Sequence, residues 1–268
     1  MLSPLYGQLS PLRVPTTAGR APVSDSDAEA YLVAVETADA MQLEQSVADA
    51  INSFVVGCKA DGIWSAIKAS CILSGARTLA GAVVPLIGQA PTSFNFVNAD
   101  YSRKLGLLGN GSTKYLASNR ANNADPQNSQ HLAFYMAAAP SVASRRYMGA
   151  DVSVAGDSTL ASSFSATDLL IRSRSTSTFG SGNYAGTLPA LLGKSRFASN
   201  GVSWRIGNNS GTGTTISQTP NSTIIKVFQV GTYTNPRIAF YSIGENLDLS
   251  KLNTRVKDFM TALVAAIP

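Results

Sequence analysis

The chain has 268 residues, of which 44% are hydrophobic and 14% are charged. This length suffices for one sizeable core, while the low charged fraction and the many Ser, Thr, Asn and Gly residues favour a turn-rich β-protein. The only cysteines, Cys58 and Cys71, and the single histidine, His131, cannot supply the four ligands of an ordinary zinc site. We therefore expect no bound metal or other cofactor.

The positive charge of the chain is concentrated in its middle part. Residues 100–237 contain 13 basic and 5 acidic residues, which gives this part a net charge of +8. A basic surface can attract nucleic acid, an anionic glycan or an acidic protein. The alternative is that the basic side chains are dispersed and only solvated, because no three basic residues are consecutive. Without such a run we predict no nucleic-acid partner.

No membrane partner is predicted either. The longest apolar run, residues 79–87, is much shorter than a membrane span and contains Gly81 and Pro85. The N-terminus has no basic region followed by an apolar stretch, so we expect no signal peptide.

Residues 1–23 are predicted to form an extended attachment arm. The sequence Leu-Ser-Pro-Leu occurs twice in it, and several prolines disfavour a helix. Apolar side chains on an extended arm need a surface to bind, which is either the arm's own domain or a neighbouring subunit. The residues predicted to contact that surface are Leu5, Tyr6, Leu9, Leu12, Arg13 and Val14.

Residues 24–90 are predicted to be a helical segment packed on the rest of the domain. Ser26 and Glu29 have the spacing of a capping box, which predicts the start of a first helix. Apolar residues recur at helical spacing over residues 39–58 and predict a second helix. Residues 63–69 predict a third, short helix.

A further helix is predicted at the end of the chain, over residues 248–268. Asp248 or Ser250 is the expected N-cap. Its apolar face requires the helix to lie against the domain, and this face consists of Leu252, Val256, Phe259, Met260 and Leu263.

Residues 91–247 consist of short apolar runs separated by turns rich in Gly, Asn and Ser, which predicts a jelly-roll β-sandwich. Near its start, Asn110 and Gly111 predict a hairpin turn, and residues 208–222 are predicted as a loop or a hairpin tip. The predicted strands are residues 94–97, 114–117, 131–137, 145–149, 167–172, 203–206, 224–230 and 237–243.

No combination of residues predicts a catalytic site. Gly156, Asp157 and Ser158 resemble the nucleophile block of one hydrolase family, but they lie mid-chain and their partner would have to be His131. Carboxylates are sparse and unclustered in residues 91–247, so the acid pair of a glycosidase is not indicated. We therefore predict that the chain is not an enzyme.

Two segments resemble parts of concanavalin-like, laminin-G-type sandwiches. Residues 106–119, GLLGNGSTKYLASN, resemble an early strand preceded by a Gly-rich turn, and residues 237–245, RIAFYSIGE, resemble the closing strand. Residues 56–73, 106–128 and 239–256 together are similar to a family of tailed-phage virion proteins. The resemblance implies a mainly β fold with α, in which a concanavalin-like jelly-roll sandwich is preceded by an N-terminal helical segment and closed by a C-terminal helix.

The resemblance also implies a structural, non-enzymatic protein of the virion, and it transfers no catalytic residue. The first hypothesis is a peripheral tail or fibre component that contacts host-surface glycan, binds other virion proteins through its arm and forms a homo-oligomer such as a trimer. One alternative is a capsid decoration or cement protein whose arm clamps neighbouring capsid subunits. The other is a glycan-cleaving tail protein, which would need two carboxylates in one groove.

Under the first hypothesis, aromatic and basic residues of the sandwich are candidates for contact with a glycan. Sugars stack on aromatic faces, and basic groups hydrogen-bond to anionic glycans. The alternative for each is a structural role, with the tryptophan in the core and the arginines solvated. The candidates are Arg172, Arg174, Tyr184 and Trp204.

Overall fold

Two antiparallel sheets lie face to face, and helices cover the outer face of the larger sheet. The predicted class is confirmed: a mainly β sandwich with helices before and after it. This computed structural model describes residues 19–141, 145–152, 154–162, 168–184 and 186–268. The predicted contact residues of the arm lie outside the described residues, and these are Leu5, Tyr6, Leu9, Leu12, Arg13 and Val14.

Two of the long helices begin at an aspartate cap. Asp25, rather than the predicted Ser26, caps the first helix, because its carboxylate accepts hydrogen bonds from the amides of Asp27 (3.0 Å) and Ala28 (3.2 Å). Asp248 caps the last helix in the same way, as predicted. The α-helices are α1 (Ser26–Asp39), α2 (Gln45–Ala60), α3 (Leu79–Ala82) and α4 (Leu249–Ala266).

Short strands make up most of the remaining described chain. They are β1 (Ile67–Ile72), β2 (Pro85–Ile87), β3 (Thr92–Phe94), β4 (Tyr101–Ser102), β5 (Gly106–Leu108), β6 (Tyr115–Ala121), β7 (Gln130–Ala138), β8 (Arg146–Gly149), β9 (Ser158–Ser162), β10 (Asp168–Ser173), β11 (Phe179–Asn183), β12 (Ala190–Arg196), β13 (Gly201–Ile206), β14 (Asn209–Thr214), β15 (Ile224–Val227), β16 (Gln229–Val230), β17 (Thr232–Tyr233) and β18 (Arg237–Gly244).

The strands form two large sheets and one small ribbon. The nine-stranded sheet follows the order β14-β13-β12-β7-β18-β1-β2, and β5 pairs with both β18 and β4. The seven-stranded sheet has the order β11-β10-β9-β8-β15-β6-β3, while β16 and β17 pair only with each other. The register is antiparallel in every described pair, for example between β7 and β18 and between β9 and β10.

Strand β18 lies inside the molecule and is covered on both faces. On the helix side, the ring of Phe240 packs against Phe54 of α2, with centroids 5.7 Å apart, and Phe54 also contacts Phe259 of α4 at 5.2 Å. On the other side, Tyr241 points into the space between the sheets. Because side chains alternate along a strand, the chain builds two cores, one under the helices and one between the sheets.

The predicted third helix is wrong. A 3₁₀ turn, Trp64–Ala66, is followed directly by β1, which pairs with β18 on one side and β2 on the other. The side chains of Ile67 and Ile72 lie in the core under the helices, whereas Ala69 and Cys71 lie in the core between the sheets. The sequence of a strand buried on both faces is a continuous apolar run, and periodicity alone cannot distinguish such a run from a buried helix.

The predicted hairpin at Asn110 is also wrong, although a turn is present. Asn110 Oδ1 accepts hydrogen bonds from the amides of Ser112, Thr113 and Lys114 at 2.9–3.0 Å, which closes the turn. The strands that it connects, β5 and β6, belong to different sheets, so the turn carries the chain across the sandwich. Residues 208–222, predicted as a loop or a hairpin tip, contain a strand instead: β14 pairs with β13, and residues 215–222 follow it without regular structure.

Candidate functional site

A groove rich in arginine lies on the outer face of the seven-stranded sheet. Its floor is formed by outward-facing side chains of β8, β9 and β10, and its volume is about 300 Å³, at the lower end of the range for small-molecule sites. We call it the arginine groove. It is lined by Arg145, Arg146, Thr159, Ala161, Ser162, Leu170, Arg172 and Thr178.

Strand pairing determines which side chains of the groove are neighbours. Arg146 is paired with Ala161, and Ala161 with Leu170, so a small apolar patch lies beside the arginine. In the next row, Arg172 is paired with Thr159. The intervening residues of β10 point into the core between the sheets. The basic groups therefore border a short apolar floor.

Thr178 and Asp157 are among the residues that hold Arg172 in place. Its Nε donates a hydrogen bond to Thr178 Oγ1 (2.7 Å), and its guanidinium lies 3.7 Å from Oδ2 of the buried Asp157. Asp157 is held in turn, because Thr159 Oγ1 (3.0 Å) and the amide of Asp151 (3.1 Å) donate to its carboxylate. Burial raises the pKa of Asp157, and these hydrogen bonds together with Arg172 oppose the rise.

Arg145 is anchored through its backbone, just before β8 begins. Its amide donates to Ser162 Oγ (2.9 Å), and its carbonyl accepts from the amide of Ser162 (2.7 Å). Arg145 and the following Arg146 are thereby placed at the end of β9, on the side of the groove away from Arg172. The groove thus has basic groups at both ends.

The predicted glycan-contact residues lie in separate parts of the molecule. Arg172 lines the arginine groove. Trp204 is half-buried against the core between the sheets and borders a second groove beside the start of α4. Arg174 and Tyr184 have no exposed surface, which corrects their prediction as surface residues. The Tyr184 ring fills the core between the sheets, and its hydroxyl is hydrogen-bonded to that of Tyr147 (2.5 Å).

Arg174 belongs to a buried group of three basic residues, together with Lys194 and Arg196. The guanidinium groups of Arg174 and Arg196 donate to backbone carbonyls of the adjoining loops. Lys194 Nζ donates to Gln130 Oε1 (2.5 Å) and Ser173 Oγ (3.0 Å). Burial, and then the two neighbouring guanidinium groups, hold the pKa of Lys194 well below its usual range. These cations therefore bind strands and loops of the protein itself rather than a ligand at the surface.

The hydrolase-like motif does not form a catalytic site with the histidine. Ser158 Oγ donates to Gln130 Oε1 (2.7 Å), and Ser158 is fully buried. His131 is also buried: its Nδ1 donates to the carbonyl of Glu245 (2.6 Å), so its Nε2 accepts from Ser242 Oγ (2.7 Å). Burial lowers the pKa of His131 to about 4. The two residues therefore belong to separate polar networks.

Sequence reasoning identified only one residue of the arginine groove as a ligand contact. The adjacency of Arg145 and Arg146 was visible in the sequence, and strand alternation places Leu170 and Arg172 on one face of a strand. What joins the two pairs is the register of β8, β9 and β10, which is a non-local property. In the described part of the chain, no His, Cys, Asp or Glu side chains group as metal ligands, and no helix is long and apolar enough to cross a bilayer.

Neither a family model nor a curated protein sequence matches the chain. Among solved structures, a sialidase from Trypanosoma rangeli matches 73% of this chain and 33% of its own, at 13% identity and a TM-score of 0.51. The botulinum neurotoxin serotype D binding domain matches 75% of this chain and 52% of its own, at 6% identity and a TM-score of 0.49. A bacteriophage CBA120 tailspike matches 60% and 28%, at 11% identity and a TM-score of 0.38. The chain thus spans about a third of the sialidase, and the likeness concerns the β-sandwich alone.

The sialidase match corrects one prediction. The chain was predicted not to be an enzyme, because no combination of residues indicated a catalytic site and the resemblance implied a structural protein, and this prediction is wrong. The structure that matches at a TM-score of 0.51 belongs to a sialidase, so a sandwich of this shape occurs within an enzyme. At 13% identity the match transfers the fold and no activity.

Proposed function

We propose that this chain is a tail or fibre protein of a phage virion and that its β-sandwich binds an acidic glycan of the host surface. The observation that carries the proposal is the arginine groove, in which Arg145, Arg146 and Arg172 border the apolar floor of Ala161 and Leu170. Guanidinium groups form paired, charge-assisted hydrogen bonds with carboxylate, sulfate or phosphate. An apolar floor suits the C–H face of a pyranose ring. The groove therefore offers a contact for both the acidic group and the ring of an acidic sugar.

The fold and the charge distribution support the same reading. The excess of basic residues in the middle of the chain lies mainly in the sandwich, where long-range attraction of an anionic polymer would raise the rate of encounter. Placement in the virion rests on the resemblance of residues 56–73, 106–128 and 239–256 to tailed-phage proteins. Residues 1–23 are proposed to attach the chain to other virion proteins, and a homo-oligomer would multiply weak glycan contacts.

The proposal is tested by binding of an acidic oligosaccharide and its neutral counterpart. Tetragalacturonate and its methyl ester share the same sugar backbone, but the ester has uncharged methylated carboxyl groups, and calorimetry at low salt measures both. We expect the acid to bind and the ester to bind at least about tenfold more weakly, because charge-assisted hydrogen bonds are lost. Arg146→Ala should weaken binding of the acid by a similar factor.

Lys104→Ala is the matched control, since Lys104 is an exposed basic residue near β4 in the nine-stranded sheet, outside the arginine groove. It removes the same charge and should leave the affinity almost unchanged. Arg172→Lys keeps a charge beside Asp157 and should weaken binding less than Arg146→Ala. Equal affinities for the acid and the ester, or an Arg146→Ala protein that binds like the wild type, would contradict the proposal.

A further inference from the structure

A second groove lies on the other side of the sandwich, between the β13–β14 hairpin and the start of α4. Its volume is about 470 Å³. We call it the hydroxyl groove, and the lining residues that matter here are Phe197, Ser203, Arg205, Ser210, Thr212 and Asp248.

The floor of the hydroxyl groove is polar because of the hairpin register. Arg205 is paired with Ser210, and Ser203 with Thr212, so four polar side chains share one face of the two strands. The alternate residues of β13 face the other way: Val202 and Ile206 are buried, and Trp204 is half-buried against the core between the sheets. The hairpin therefore presents hydroxyl and guanidinium groups toward α4 and apolar groups toward the interior.

The charges in the hydroxyl groove are balanced. Burial lowers the pKa of Arg205, and the carboxylate of Asp248 opposes this effect. Asp248 is kept in place by capping α4, where it accepts from the amides of Ser250 (2.7 Å) and Lys251 (3.3 Å). One cation and one anion face the space, in contrast to the arginine groove. This balance favours a neutral ligand over an acidic one.

Arg205 has an unused donor within the described structure. Its Nε is buried and has no hydrogen-bond partner among the described residues. Leaving a buried donor without a partner is unfavourable, so an acceptor that a ligand brings within reach of this group would be favoured. Sugar hydroxyls supply such acceptors.

Phe197 provides an aromatic surface at the rim of the groove. Its side chain is 51% exposed, and its ring lies directly on the backbone of Gly201, where an added Cβ would be only 2.5 Å from Phe197 Cε2. The glycine lets one face of the ring rest on the strand. The exposed part of the ring is left to contact a ligand, as an aromatic platform does for the C–H face of a sugar.

We propose that the hydroxyl groove binds one neutral hexopyranose unit. The sugar ring packs on Phe197, and its hydroxyls bond to the side chains of Arg205, Ser210, Thr212 and Asp248. This site is independent of the arginine groove, so acidic-glycan binding there can fail without affecting it. The chain then has two sugar sites of different charge preference on opposite sides of the sandwich.

The test uses simple neutral probes, the methyl glycosides of glucose, galactose and mannose, with saturation-transfer NMR and titration at millimolar concentrations. At least one glycoside is expected to bind the wild-type chain. Phe197→Ala and Arg205→Ala should each weaken that binding by about tenfold or more. Ile216→Ala is the matched control, because Ile216 is an exposed apolar residue (76%) that does not line the groove.

To distinguish the two sites, each variant is also tested with the ligand of the other groove. Arg146→Ala should leave binding of the neutral glycoside unchanged, and Phe197→Ala should leave binding of tetragalacturonate unchanged. Absence of binding by all three glycosides overturns the inference, and so does equal binding by wild type and Phe197→Ala. If Arg146→Ala abolishes binding of a glycoside and Phe197→Ala does not, that glycoside binds in the arginine groove. This result would also overturn the inference.

Discussion

Several polar side chains of this protein are fully buried and form their hydrogen bonds with other parts of the protein, which stabilises the fold. His131 joins β7 to β18 and to the segment after it through Ser242 and the carbonyl of Glu245. Lys194 joins β12 to Gln130 on β7 and to Ser173 on β10, and so connects the two sheets. Side chains of this kind are common in catalytic sites, but here their partners are structural. Their titration should therefore change stability rather than reactivity.

His131 gives a specific prediction for pH dependence. Burial lowers its pKa from 6.5 to about 4, so between these values the unfolded chain binds the proton more tightly than the folded chain. Stability is therefore lost as the pH falls from about 6.5 towards 4. The contribution of His131 to the free energy of unfolding should decrease by about 2 kcal/mol between pH 7 and pH 5. Urea unfolding at the two pH values measures it.

His131→Gln isolates this contribution, because the other titrating groups, including Lys194, are common to both proteins. Between pH 7 and pH 5, the free energy of unfolding should decrease by about 2 kcal/mol more in the wild type than in the variant. NMR titration of the single histidine in the folded wild type provides a second measurement. A His131 that titrates near 6.5 in the folded protein, or equal pH dependence in both proteins, would show that its burial does not control its pKa.

The turn between β8 and β9 links the interior to the arginine groove. Gly156 adopts φ +68°, and a Cβ added there would lie 1.9 Å from the carbonyl oxygen of Thr219. Its own carbonyl accepts from Asn122 Nδ2 (2.8 Å). The next two residues diverge: Asp157 supports Arg172 on the outside, and Ser158 enters the network between the sheets. The tripeptide that resembled a nucleophile block is therefore a structural turn.

Gly156→Ala is expected to destabilise the protein by about 2–4 kcal/mol, through both the strained backbone and the clash with residue 219. It should also weaken binding in the arginine groove, because Asp157 is displaced. Gly182→Ala is the matched control: Gly182 has φ +97°, but no described residue lies within 4 Å of a Cβ added there, so only backbone strain is added, at about 1–2 kcal/mol. Equal destabilisation by the two substitutions would mean that the contact of Gly156 with residue 219 is unimportant.

The elements differ in how far the sequence could predict them. The second helix was predicted over residues 39–58 and lies at Gln45–Ala60, because its apolar stripe is a local signal. Strands predicted at residues 167–172 and 224–230 correspond to β10 and β15, followed by β16. The position of β1 within the nine-stranded sheet could not be predicted, since it depends on pairing with β18, far along the chain. The same holds for the burial of Arg174 and for the arginine groove.

At the scale of the whole molecule, the two grooves occupy opposite sides of the sandwich. The arginine groove lies on the uncovered face of the seven-stranded sheet, whereas the hydroxyl groove lies on the helix side of the nine-stranded sheet. The helical layer of α1, α2 and α4 leaves the outer end of that sheet, at β13 and β14, accessible beside the start of α4. If both proposed sites bind sugar, one copy contacts two different sugar units of a polysaccharide, or two chains, at once.

The proposed attachment role of residues 1–23 concerns how copies are held in a particle. The point where the described chain begins is already fixed: Arg20 is bound to Glu29 (2.8 Å) and Glu36 (2.6 Å) on α1 and is nearly buried. Removal of residues 1–15 leaves this clamp intact. Burial of one large apolar side chain contributes about 1.5–3 kcal/mol, while ordering the backbone costs about 1–2 kcal/mol per residue, so for such an arm the two nearly cancel.

We therefore expect the chain lacking residues 1–15 to keep nearly the same melting temperature but to fail to incorporate into phage particles. The measurements are thermal unfolding of the purified protein and detection of the variant in particles assembled without the wild type. The multiple substitution of Leu5, Tyr6, Leu9 and Leu12 by Ser keeps the length of the arm and should have the same effect, because it removes the apolar contacts. A truncated chain that is markedly destabilised yet still incorporates would show that these side chains complete the core of their own domain.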